Sequence, residues 1–262
     1  MKGQVLDNIK TLYRRRELIW ALVVKELKAR YRGSFFGVVW TFLNPLLLLL
    51  VYSLVFSVYM RAQVENYAVF VFAGLLPWIW FSSSLLDGVN SITSAGNLIT
   101  KSMFPAEILP MVKILSNLAN YALSLPLLLI FMFAYGVPLR WAALWLPIVM
   151  ISQTLFTLGP VYILAALNVK FRDTQHILGN FITLWFFVSP ILYPISQTPE
   201  DWRFVFYINP MAMLAVSYQD MFLYGKTPDL LVVAVIAITG MALSFLGLYW
   251  FDQGKETFAE EI

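Results

Sequence analysis

An all-α integral membrane protein is the fold class this sequence predicts, and three observations carry it. Long stretches lack any ionised residue, the composition is too apolar for a soluble globule, and the basic residues gather on one side of successive stretches. The 28 residues from Gly33 to Met60 contain no Asp, Glu, Lys or Arg and include five consecutive leucines. A hydrocarbon core about 30 Å thick needs roughly 20 apolar residues of helix, and each buried charge would cost about 2.5 to 3.5 kcal/mol at mid-depth. With 60% hydrophobic and 13% charged residues in 262, the surface must face lipid.

Taken in order, residues 1–32 carry nine Lys/Arg and no cleavable apolar leader, so they are expected to stay on the protein's inner side. Within them Trp20, Val24, Leu27 and Tyr31 recur on one helical face while Lys25, Lys28 and Arg32 line another, the pattern of an amphipathic helix lying along the membrane surface. Six spans are expected at 33–60, 66–90, 114–137, 142–168, 174–195 and 230–251, each built around a charge-free gap. A loop at 96–111 separates the second and third. The segment 203–225 is broken by Asn209-Pro210 into halves too short to cross, because Pro210 lacks an N–H and disfavours helix at Asn209. It is expected to form a re-entrant helical hairpin between spans five and six, sheltered by other protein. Gly33 and Gly37 are a candidate close helix contact.

Sidedness follows from the basic residues. With the N-terminus inside, 14 Lys/Arg fall in inner segments and four, Arg61, Arg140, Arg203 and Lys226, in outer ones, so both termini are expected in the cytoplasm. The net charge of +3 reflects this asymmetry and makes nucleic acid a poor partner. The chain is expected to be one membrane domain.

The missing chemistry narrows function. No predicted span core holds an ionised residue, which argues against a self-powered ion-coupled transporter. No catalytic residues are expected and no metal site, since cysteine is absent and His176 is the sole histidine. Gly225-Lys226-Thr227 resembles the end of a phosphate-binding loop, but Asp220 stands where a glycine is required. Uphill transport would therefore draw its energy from another polypeptide.

Several blocks point to a family. Arg30-Tyr31-Arg32-Gly33-Ser34 with Gly37, Trp40 and Asn44-Pro45 is followed by Gly74-Leu75-Leu76-Pro77-Trp78, Leu98-Ile99-Thr100-Lys101, and Phe104-Pro105-Ala106-Glu107-Ile108-Leu109-Pro110. Asn168-Val169-Lys170-Phe171-Arg172-Asp173, Ser189-Pro190-Ile191-Leu192-Tyr193-Pro194 and Asn209-Pro210-Met211 continue the series. Together these resemble the ABC-2 type exporter permeases, in particular the polysaccharide branch that exports O-antigen, capsule and teichoic-acid chains. One departure is Gln219, where relatives often carry an arginine, so no anion-binding role carries over there.

The resemblance implies a homodimer in the bacterial inner membrane, with two copies of an ATP-binding subunit docked from the cytoplasm. ATP and magnesium would sit on that partner and no cofactor on this chain. The substrate would be a lipid-linked glycan moving between the two permease subunits. A drug or another lipid as substrate is the nearest alternative; a passive channel or envelope scaffold would need no ATPase.

Within that frame the 96–111 loop is expected to hold a coupling helix, with Leu98, Ile99, Lys101, Met103, Phe104, Pro105 and Glu107 offering an apolar anchor and a polar rim to the ATPase subunit. Arg30, Arg32, Arg172 and Asp173 are candidates for a cytoplasmic gate that meets the carrier's phosphates. For Asp173 the plain alternative is a helix N-cap. Trp78, Trp80, Phe81, Ser83 and Tyr193 are candidate channel-lining residues, since aromatic and hydroxyl groups suit sugars; an interfacial aromatic belt or close helix packing would explain them equally.

Overall fold

The computed structural model describes residues 10–61, 64–102, 104–255 and 258–261, and no strand occurs among them. Helix α1 (Arg16–Arg30) precedes a short 3-10 turn and α2 (Trp40–Tyr52), which runs on as a π-helix, Ser53–Tyr59. Then come α3 (Tyr67–Val89), α4 (Gly96–Ser102), α5 (Ile108–Ala134), α6 (Leu146–Lys170) and α7 (Thr174–Val188). Short helices α8 (Phe204–Ile208) and α9 (Pro210–Gln219) follow, and α10 (Leu230–Gly254) and α11 (Phe258–Glu261) close the chain.

Among the described residues, five helical stretches are long and apolar enough to cross a membrane: Gly37–Tyr59, Tyr67–Val89, Ile108–Ala134, Trp141–Lys170 and Leu230–Gly254. The fifth expected span is shorter than the sequence suggests. At 1.5 Å per residue, the 15 residues of α7 reach only about 23 Å before Ser189 turns extended ahead of Pro190.

Helix α3 is the hub, 78% buried over its apolar window, and its ring-rich side chains fill the centre of the bundle. The most extensively packed helix pair is α6 with α10, and glycine explains the close approach. A Cβ at Gly240 would lie 2.5 Å from Phe156 N, and one at Gly247 2.5 Å from the Gly159 carbonyl oxygen. Two hydroxyls cross the same seam: Ser152 donates to the Val233 carbonyl at 2.9 Å and Ser244 to the Leu155 carbonyl at 2.8 Å. Such pairing suits a bilayer, where small residues and internal hydrogen bonds replace the hydrophobic effect between helices.

One expectation changes. Gly33 and Gly37 are not a packing contact: nothing lies within 4 Å of a Cβ at either, and φ values of +78° and +53° make them turn residues that delay the first helix to Gly37. The core-facing stripe of α1 is Ile19 and Val23, packed with Ile108 and Val112 of α5. Trp20, on the face expected to seek the membrane, is exposed.

Candidate functional site

The loop between α3 and α5 has two faces. Asn97, Leu98 and Thr100 of α4 are exposed, and Leu98 offers 39% of its surface. Ile99 turns inward against a cluster of Ile92, Tyr162, Val169 and Phe251. Phe104 and Pro105 are half-buried, and Phe104 packs on the α1–α5 cluster. This gives the aromatic a partner within the same chain, where the sequence suggested one in another subunit. Lys101 has no described side chain and Met103 lies outside the described residues.

Glu107 departs most from expectation. The sequence places it on a polar rim, yet its side chain is 3% exposed and pairs with Lys255 Nζ at 2.9 Å. Its carbonyl accepts from the Tyr162 hydroxyl at 2.7 Å. A carboxylate so enclosed persists because a cation meets it; without Lys255 it would be a costly unpaired charge.

At the same end of the bundle, Arg30 donates to Asp87 Oδ2 at 2.7 Å, and Asn117 Nδ2 donates to the same oxygen at 2.9 Å. Lys113 reaches Glu26, so α1 is tied by charge to both α3 and α5. Arg32, just beyond α1, lies exposed beside Lys25 and Lys28 of that helix. Arg172 and Asp173 are exposed where α7 begins; Asp173 occupies the cap position, but its side chain makes no cap bond. The structure thus separates Arg30, held by Asp87, from Arg32 and Arg172, which face outward.

The candidate lining residues fall on different sides of α3. Trp80 and Ser83 line a cavity of about 400 Å³ between α2, α3 and α5 that Arg30 also borders. Its walls include Asn44, Asn120 and Ser124, and the buried Asn120 amide atoms and Trp80 Nε1 have no hydrogen-bond partner. Trp78 lines a second groove, of about 370 Å³, between α2, α3 and α7, with Tyr52, Ser82 and Thr183. Phe81 is fully buried, in an edge contact with Trp185 at 5.2 Å and a stack with Phe156 at 5.9 Å, and has no free surface. Tyr193 lines neither space, but its hydroxyl donates at 2.7 Å to the carbonyl of Phe187, which lines the second.

Where α7 ends, polar side chains hold the broken backbone. Asn209 Oδ1 caps α9 through Met211 N and Ala212 N and also accepts from Trp185 Nε1 at 2.8 Å; its Nδ2 donates to Ser189 Oγ at 3.1 Å. Gln219 donates to the Pro190 carbonyl at 3.1 Å and lies against Gly74, where a Cβ would come within 2.9 Å. The residue that differs from relatives is therefore a buried tie between α9, α3 and the end of α7.

The structure adds Asp87, Asn117, Tyr162, Lys255 and Phe258 to the residues the sequence singles out. Asn117 and Asn120 were findable as amides three residues apart inside an otherwise apolar run. The Glu107–Lys255 pair carries no local signal, being 148 positions apart in sequence.

Residues 17–223 match the family described as ABC-2 type transporter. Over 256 residues, 97% of this chain and 98% of the relative, the sequence is 45% identical to the O-antigen export system permease protein RfbA of Myxococcus xanthus. It is 34% identical over 245 residues, 93% of this chain and 94% of the relative, to the protein of the same name from Klebsiella pneumoniae. A more distant relative is the polysialic acid transport protein KpsM of Escherichia coli, 22% identical over 249 residues, 90% of this chain and 93% of the relative.

Proposed function

Because the chain belongs to the ABC-2 type transporter family, we propose that it is the permease subunit of an ATP-driven exporter that carries an O-antigen-like polysaccharide, on a lipid carrier, across the bacterial inner membrane. The observation that carries this is the 45% identity to an O-antigen export permease along nearly the whole of both chains. Five long apolar helices and an exposed loop helix between two of them support it.

In this mechanism both termini lie in the cytoplasm. The sixth crossing is made by α7 together with the 189–192 turn that follows it, and α8 and α9 form a re-entrant hairpin in the outer half. Two copies of the chain pair. The first span, only 17% buried within the subunit, and the exposed line Ile177, Phe181 and Leu184 of α7 are the faces available for that pairing. The groove at Trp78, Tyr52 and Thr183 would border the path between subunits, offering a sugar aromatic and hydroxyl contacts without an ionised trap.

A separate ATP-binding subunit docks on Asn97, Leu98 and Thr100, one copy per permease, and supplies the ATP and magnesium. Arg32 and Arg172, exposed at the inner edge, meet the carrier's phosphates, while Arg30 is engaged by Asp87. The test is genetic. A cell lacking this permease and its ATPase should display the long surface glycan only when both are restored; restored display with the ATPase alone would remove the permease from that role.

A further inference from the structure

Four contacts close a ring behind the 96–107 loop. Phe258, beyond the last long helix, is 0% exposed and meets the edge of Phe251 at 5.2 Å. Gly254 makes room for it, since a Cβ there would lie 3.0 Å from the Phe258 ring. Phe251 in turn meets the edge of Tyr162 at 5.3 Å. The Tyr162 hydroxyl holds the Glu107 carbonyl, and the Glu107 carboxylate returns to Lys255. Ile92, Ile99 and Ala106, from both flanks of the loop, pack into the same apolar cluster, and α11 lies against α4.

A loop joining two helices would ordinarily move with those helices alone. Here its inner face is fastened to the ends of α6 and α10, the pair whose glycines bring their backbones into contact. A force applied to α4 is therefore delivered to that closely packed pair as well as to α3 and α5, because packed elements transmit displacement and do not absorb it.

We propose that the C-terminal segment is a strut for the loop, with Phe258, Lys255 and Glu107 as positioning residues that transmit motion of the docked ATPase subunit to α6 and α10. The transmission rests on the docking role proposed above; the bracing itself does not. Phe258 acts through packing, and Glu107 acts through Lys255 and never needs to touch the partner.

The test uses the purified permease–ATPase complex in lipid nanodiscs and vesicles. In Phe258→Ala, amide exchange across 96–107 should rise by about tenfold or more while α9 exchanges as before, because the local opening loses a buried anchor. Co-purification should be retained, and glycan exported per ATP hydrolysed should fall about fivefold in Phe258→Ala, Glu107→Lys and Lys255→Glu. Combining Glu107→Lys with Lys255→Glu should restore the ratio to within about twofold, as a local pair interaction requires. A merely structural role would lower the yield of folded complex and leave that ratio unchanged. Unaltered exchange in Phe258→Ala, or export falling only in proportion to recovered complex, would overturn the strut. If the loop loosens but the wild-type complex exports no glycan, the bracing stands and the transport assignment falls.

Discussion

Arg30 and Asp87 stand 57 positions apart in sequence and meet at 2.7 Å where α1 ends and α3 finishes. Asn117 of α5 shares the same carboxylate oxygen, so one acidic side chain gathers three helices at one end of the bundle. Its geometry is good, but the Arg30 and Asp87 side chains are 28% and 36% exposed, which limits the energy involved. A double-mutant cycle with Arg30→Ala and Asp87→Ala, followed by thermal unfolding in detergent, should give a coupling of about 0.5 to 1 kcal/mol, weakening with salt.

Asn209 should matter more, since its amide satisfies two backbone N–H groups of α9, the Trp185 indole and the Ser189 hydroxyl at once. Asn209→Ala is expected to cost about 2 to 3 kcal/mol, combining a lost cap with buried groups left unpaired. Asn209→Asp keeps the acceptor and should recover part of that loss. Equal unfolding temperatures for Asn209→Ala and wild type would rule this out.

Gly240→Ala places a methyl group against the Phe156 backbone and so must push α10 away from α6. Overpacking of this kind costs about 1 to 3 kcal/mol. Gly179→Ala, where nothing lies within 4 Å, should be neutral or slightly stabilising on the same helix-melting assay.

Topology can be read by single cysteines, because the chain has none of its own. With Ser196→Cys and His176→Cys, a membrane-impermeant thiol reagent should label the first only from outside and the second only from inside. Labelling of both from one side would remove the sixth crossing.

Much of the bundle was legible because lipid imposes a single rule, that charge must leave the span. The gaps between ionised residues located α3, α5, α6 and α10 to within a few positions at most boundaries. The rule says nothing about how far a charge-free run stays helical, which is why α7 ends at Val188, where the Ser189-Pro190 pair interrupts it. It is also blind to direction around a helix axis. Trp80 and Phe81 are attractive as lining residues by type, yet both are buried in the core, and of the two only Trp80 also borders the cavity beside Ser83. Glu107 departs from the expected rim for a related reason: a charged residue on a connecting loop is ordinarily solvated, and the distant Lys255 makes its burial tolerable.

The most direct measurement is transport into sealed vesicles that hold the purified permease, with and without its ATP-binding subunit, and a lipid-linked polysaccharide on the outer, cytoplasm-like face. Glycan should become protected from an added glycosidase only when both subunits and ATP are present, and Leu98→Arg on the exposed face of α4 should abolish that protection together with co-purification. Protection that needs neither ATP nor the second subunit, or no protection with all components present, would contradict an ATP-driven glycan exporter.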